Sequence, residues 1–152
     1  MARLPALITD RADIEALIPQ HGAMCLLDSI EYWDGQRIIC TSMQHRSAGN
    51  PLRTRNALSS LHGIEFAAQA VAVHGGLTAP GHARPGIGLL LSARDCKFHR
   101  RKLDDIEGAL VIEAEQMGRN DQTRMYRFKV SAQDVLVVEG RTAVLLREGA
   151  AP

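Results

Sequence analysis

From Leu61 to Val73 the sequence reads LHGIEFAAQAVAV, and this stretch limits what the rest of the chain can build. Its only polar side chains are His62, Glu65 and Gln69. Offsets of three and four residues place all three on one helical face. A helix that is apolar on every other side is buried, so the remaining chain has to supply a surface that surrounds it. A carboxylate in such a helix must be paired, hydrogen-bonded or partly neutral. Desolvation raises the pKa of Glu65, the direction that suits a general acid or base near neutral pH. The same burial is also compatible with a structural role, with Glu65 tied to a basic residue or to Gln69. Gln69 does not titrate and reads as an orienting partner. His62, near the helix start, suits either chemistry or a capping contact. Gly63 costs up to ~1 kcal/mol of helix propensity relative to Ala, which points to a close approach by a ligand or another backbone.

The spacing predicts this helix over Ala57 to His74, capped by Asn56 or Ser59 and ended by Gly75-Gly76. Thr9-Asp10 caps a short helix over Arg11 to Leu17, stopped at Ile18-Pro19. Met24 to Trp33 and Gln36 to Gln44 alternate as strands around an Asp34-Gly35 hairpin turn. Ala48 to Asn56 and Thr78 to Pro85 read as loops. After Gly86 everything reads as β: Ile87 to Phe98, Leu110 to Gln116, Arg124 to Ala132 and Val135 to Leu146. Turns are expected at Gly118 to Asp121 and at Gln133-Asp134. The order predicts an α+β domain over 1–147, with a disordered tail over 148–152. In it one long helix lies against an antiparallel sheet, its last four strands in a meander.

Lys plus Arg is 18 and Asp plus Glu is 17, a net charge of +1 that argues against a nucleic-acid partner. Three widely spaced cysteines without a CxxC pair suit reduced thiols in the cytoplasm. The first ten residues hold no long apolar run, and nowhere does the chain approach the ~20 apolar residues that a membrane span needs. Gly86-Ile87-Gly88 lacks the third glycine of a dinucleotide fingerprint. His74 and His82 flank a Gly/Pro loop with no carboxylate or thiolate close in sequence, so no metal site is expected. Cys25 and Cys40 read as small core residues.

Four stretches carry a family resemblance: IPQHGAMCLLDSIEYWDG (Ile18 to Gly35), NPL (Asn50 to Leu52), GIEFAAQAVAVHGGL (Gly63 to Leu77) and GIGLLLSARDCKFH (Gly86 to His99). In this order they resemble the hotdog-fold 3-hydroxyacyl-[acyl-carrier-protein] dehydratases, in particular a divergent branch found with aryl-polyene-type lipid clusters. The first stretch resembles their Pro-His-x-x-Pro-Phe-Leu-Leu-Val-Asp segment and the third their Glu-x-x-Ala-Gln helix. The resemblance covers roughly residues 15 to 147. It implies a long helix wrapped by a curved sheet of about five to six strands, and paired subunits, as a homodimer or a larger assembly of dimers. It implies acyl thioesters on acyl carrier protein or coenzyme A as substrates, with no cofactor. The implied reaction is dehydration to the 2-enoyl thioester. A histidine takes the C2 proton, a helix carboxylate from the other subunit protonates the departing hydroxyl, and backbone N–H groups near the helix start polarise the carbonyl. Glu65 matches the carboxylate and Gln69 the glutamine, and Gln69, Gly63 and Ser60 are the expected substrate contacts.

The chain departs from that pattern at the base. The dehydratases' His-Phe-Pro loop lies about fourteen residues before the carboxylate, where this chain has Pro51, and Pro51 to Ser60 contain no histidine. Their Pro-Gly at the helix start is replaced by Ser59-Ser60, and their Pro-His by Pro19-Gln20 with His21 one place later. His21, His45 and His62 are the candidates for the missing base. Without one, Glu65 and Gln69 suit thioester hydrolysis, or the chain suits an acyl-carrier-binding partner subunit of an active dehydratase. The run His99 to Lys102, preceded by Arg94 and Lys97, suits an acidic carrier and its phosphate, or a solvated strand end.

Overall fold

The structure is a computed structural model that describes residues 10–78, 87–120 and 122–147. The expectations for Thr9 and the first residues, for His82 and its loop, for Asp121 and for the tail lie outside the described residues. Helix α1 spans Arg11–Glu15, and the Asp10 carboxylate caps it by accepting the Ala12 N–H at 2.9 Å. Strands β1 (Ser29–Trp33) and β2 (Arg37–Ser42) form the expected hairpin. Its turn is held by Asp34, whose Oδ1 accepts the N–H groups of Gln36 and Arg37, each at 2.8 Å. Met24 to Asp28 is not strand. Gly22–Met24 is a 3-10 turn, and the Leu26 N–H is given to the Gln69 side chain rather than to a neighbouring strand.

Helix α2 spans Gly63–Thr78, later at both ends than the periodicity predicts. Its start is delayed because the preceding backbone is engaged elsewhere. Leu58 N–H donates to Asp104 Oδ1 and Leu103 N–H to the Leu58 carbonyl, both at 2.8 Å, while Ser60 N–H donates to Arg101 at 2.9 Å. Ser60–His62 then forms a 3-10 turn capped by Ser59 Oγ. At the far end Gly75 and Gly76 continue the helix and are buried. A Cβ on Gly76 would stand 3.4 Å from Leu17, so its use is close packing rather than helix termination.

Strands β3 (Ile87–Phe98), β4 (Leu110–Arg119), β5 (Thr123–Ala132) and β6 (Val135–Arg147) complete a six-stranded sheet of order β1-β2-β4-β5-β6-β3. Every pairing is antiparallel. The expected four-strand meander is therefore corrected. From β2 the chain crosses through α2 to the opposite edge, so β3 pairs with β6 and β4 takes the place beside β2. Gln133 and Asp134, with φ of 52° and 62°, make the two-residue β5–β6 turn. The turn expected from Gly118 falls later, because β4 bulges between Gln116 and Gly118 and runs on to Arg119.

Alternation decides which face is core. Ile112 and Ala114, Tyr126, Phe128 and Val130, and Val138 and Val144 point inward and are buried. They meet Phe66, Ala67, Ala70, Val71 and Val73 of α2, which packs against β2 through β6. The run of alanines lets the sheet close around the helix. His74 is buried at its far end, with Nδ1 2.5 Å from the Tyr126 hydroxyl and Nε2 2.7 Å from the Asp34 carbonyl. Cys25 and Cys40 are core residues, as expected.

Gly140 on β6 marks the tightest approach of β3 to the sheet. A Cβ there would lie 2.7 Å from Cys96 Sγ and 3.1 Å from Cys96 Cα. Since the Cα cannot swing away, Gly140→Ala is expected to cost about 1–3 kcal/mol. A lowered urea midpoint at unchanged m value is the result to look for; an unchanged midpoint would contradict this packing.

Candidate active site

Glu65 lies in the first turn of α2 and is half-buried, whereas Gln69 one turn later is fully enclosed. Gln69 Oε1 accepts the Leu26 N–H at 2.8 Å, and its Nε2 donates to the Met24 carbonyl at 2.8 Å and to Glu65 Oε1 at 3.3 Å. An N–H on one side and a C=O on the other define which way the amide faces. The carboxyl of Glu65 is thus held on one side by a donor that cannot rotate. Among the described residues it has no cation within salt-bridge distance. Desolvation is the largest influence on it and raises its pKa, against smaller lowering effects from the Gln69 hydrogen bond and the charge of His62.

The loop that Gln69 grips is itself braced. Arg11 donates to the carbonyls of Gly22, Cys25 and Leu27 at 2.8–3.3 Å and to Asp28 Oδ1 at 2.9 Å. Asp28 also accepts from Met43 N–H and from Gln44 Nε2. The tie between Arg11 and Asp28 has no counterpart in the sequence pattern beyond the place of Asp28 within the family-like stretch Ile18 to Gly35, because a bond spanning seventeen positions leaves no periodic signal.

The three candidate histidines are placed differently. His62 is in the 3-10 turn before Glu65, partly exposed, and its charge acts on that carboxyl. His21 is exposed, three residues ahead of the Met24 that Gln69 holds. His45 is fully buried with Nε2 2.9 Å from the Ile106 carbonyl, and burial lowers its pKa. It joins the end of β2 to the loop before β4. None of the three hydrogen-bonds to Glu65 within the chain. Gly63 admits Val138, whose Cγ2 would be 3.0 Å from an added Cβ, so its close neighbour is a core side chain. The N–H groups of Ser60, Leu61, His62 and Gly63 all go to acceptors of the chain itself. Any acceptor seeking a donor there competes with those bonds.

Beside the helix start lies a cleft of about 630 Å³ walled by Thr54, Ser59, His62, Arg100, Arg101 and Lys102. Its one acid, Asp105, pairs with Arg100 at 3.0 Å. Glu65 does not line this cleft, and His62 is the residue that faces it from the Glu65 side of the turn. Among the described residues no three His, Cys, Asp or Glu side chains gather as a metal set. No described helix is long and apolar enough to cross a membrane.

An acid held above its ordinary range stabilises the fold while protonated and loses that contribution as pH rises through the raised value. Glu65→Gln is therefore expected to gain thermal stability relative to the parent as pH rises above the ordinary Glu value near 4.3. Melting curves of the two proteins on both sides of that value check it, and a constant difference would mean an unshifted carboxyl.

A family model described as ApeP-like, ApeP dehydratase, matches residues 12–150. Among curated proteins none matches the chain. Of solved structures, the dehydratase heterocomplex ApeI:P from Xenorhabdus doucetiae is similar, with a TM-score of 0.80 and 18% identity over 90% of this chain and 91% of that one. AziG from S. sahachiroi has a TM-score of 0.57 at 15% identity, covering 78% of this chain and 90% of that one. A hypothetical thioesterase with coenzyme A from Streptococcus pneumoniae TIGR4 has a TM-score of 0.56 at 13% identity, covering 78% and 87%. These likenesses establish the hotdog fold that the sequence resemblance implied. With its wrapped helix and a matching family model from residue 12 to residue 150, the chain belongs to the ApeP-like dehydratase family.

Proposed function

We propose that the protein removes water from a 3-hydroxyacyl thioester to give the 2-enoyl thioester, with Glu65 as the acid. The observation that carries this reading is a half-buried carboxyl, in no salt bridge among the described residues, with its pKa raised by burial and its position held by Gln69. A protonated Glu65 gives its proton to the C3 hydroxyl as the C3–O bond breaks and water leaves. A histidine takes the C2 proton, and the electron pair of that C–H bond becomes the new C2–C3 double bond. Only protons and water move, so no cofactor is needed. His62 and His21 are the histidines whose segments adjoin Glu65 and its Gln69 clamp.

The working unit is dimer-based. Among the described residues strand β3 has one sheet neighbour, β6, and a second subunit would pair along its other edge. The acyl chain arrives on a carrier protein or coenzyme A in the cytoplasm. The basic cleft at the helix start suits the phosphate of the pantetheine arm, since Arg and Lys bind phosphate by charge-assisted hydrogen bonds. A second reading is a partner subunit of an active dehydratase. It is favoured by the absence, among the described residues, of a histidine bonded to Glu65, and by a similar solved structure that is a dehydratase heterocomplex.

Incubation with 3-hydroxyacyl carrier protein, followed by mass spectrometry for loss of one water, tests the proposal. Glu65→Gln is expected to slow turnover at least ~100-fold, the usual worth of a positioned acid. Equal turnover by the variant removes Glu65 from the mechanism. Free thiol without enoyl product indicates hydrolysis instead. Activity only after addition of a second dehydratase subunit supports the partner reading.

A further inference from the structure

The outer face of the sheet, opposite α2, carries charge in registered rows. One row runs Glu113 on β4, Lys129 on β5, Glu139 on β6 and Lys97 on β3, alternating in sign at every step. The neighbouring row runs Glu115, Arg127, Arg141 and Arg94 on the same four strands. Its last three members are all arginines, each directly opposite the next. The bulge in β3 between Arg94 and Lys97 inserts one extra residue and so keeps both side chains on this face. Strands lie ~4.8 Å apart, so three cations rise from a line about 10 Å long.

Like charges directly opposite one another destabilise a sheet. All three arginines are exposed, and the one acid within salt-bridge distance of them among the described residues is Asp95, 3.9 Å from Arg141. That pair is itself largely solvated, at 53% and 74% exposure, and contributes little. Beyond Glu115 opposite Arg127, the row thus lacks the alternation of sign that its neighbour has.

On its other side the next registered positions are Met125, Ala143 and Ser92. Met125 and Met117 are 51% and 46% exposed, and with Ala143, Arg94 and Arg141 they border a groove of about 380 Å³. An apolar floor of adaptable thioethers beside a line of guanidinium groups fits one kind of partner. That partner is an amphipathic helix with an apolar stripe and a row of carboxylates along its edge. A helix ~10–12 Å across covers both rows.

We propose that the Arg127–Arg141–Arg94 row and the adjoining methionine groove dock an acidic helix of the acyl carrier protein. This rests on the thioester reading above. The surface is separate from the basic cleft at Arg100 to Lys102. It lies three residues along β6 from Val138, which packs on Gly63 at the start of α2. That is roughly 10 Å of strand.

The test uses the full-length protein and a fluorescently labelled apo carrier protein, which has no acyl group and no pantetheine arm. Anisotropy is expected to show binding that weakens steeply with salt. Arg94→Glu/Arg127→Glu/Arg141→Glu is expected to weaken it at least tenfold, and Met125→Glu to weaken it as well. A neutral set, R94Q/R127Q/R141Q, guards against misfolding, because removing mutual repulsion leaves the melting temperature unchanged or higher. It too is expected to lose affinity. Failure of the parent to bind the apo carrier, or equal affinity of the parent and the neutral set, overturns the proposal. Turnover of a 3-hydroxyacyl-pantetheine lacking the carrier is expected to be the same in all variants. Carrier binding through the arginines without turnover of either substrate would overturn the dehydratase reading and leave this surface standing. Turnover of both substrates with binding indifferent to the arginines would overturn this surface alone.

Discussion

A primary amide inside a hydrocarbon-lined helix has to find partners for its oxygen and its nitrogen or the fold loses the cost of desolvating them. Gln69 meets that demand by taking an N–H and a C=O from the loop at Met24 to Leu26, and it spends its remaining donor on Glu65. One side chain thereby joins three things: the central helix, a loop more than forty residues earlier in the chain, and the half-buried carboxyl of Glu65. The loop cannot relax into a strand because the amide occupies its backbone. Arg11 and Asp28 support the same loop from its outer side. Glu65 is therefore held by polar bonds within an otherwise apolar centre, an arrangement that ties the position of its carboxyl to the specificity of the fold.

Local physics was readable in the residues. The polar trio of His62, Glu65 and Gln69 stood out because three hydrophilic side chains in an alanine-rich run require an explanation. The strands after residue 86 were visible as alternation, and Asp34-Gly35 and Gln133-Asp134 as turns. Three features depended on long-range pairing and were not readable. Leu58 and Ser60 were assigned to the helix on composition, yet their backbone groups pair with Arg101 to Asp104. Gly75-Gly76 resembled a stop signal, yet Leu17 packs against the helix there. The sheet order followed from the crossing of α2 to the far edge, which no nearest-neighbour rule anticipates.

The same division applies to the site. Glu65 was legible because its burial follows from the residues around it in sequence. The side chain that faces it was not, because that depends on how distant segments come together. His45 illustrates the difficulty. In sequence it is a histidine at a strand end, available for chemistry, and in the fold it is a buried tie to Ile106. A titratable side chain reveals its use only when its neighbours are known.

Among the described residues strand β3 ends the sheet with an open ladder of N–H and C=O groups, and it is twice irregular, between Leu90 and Ser92 and between Arg94 and Lys97. The second irregularity includes Asp95 at a φ of 53°. An unbroken flat margin of this length would serve as a template for indiscriminate stacking of extended chains. Two interruptions leave only short regular runs, so a newcomer must match the curvature as well as the spacing. The same two interruptions thus shorten the template that this margin offers to any extended chain.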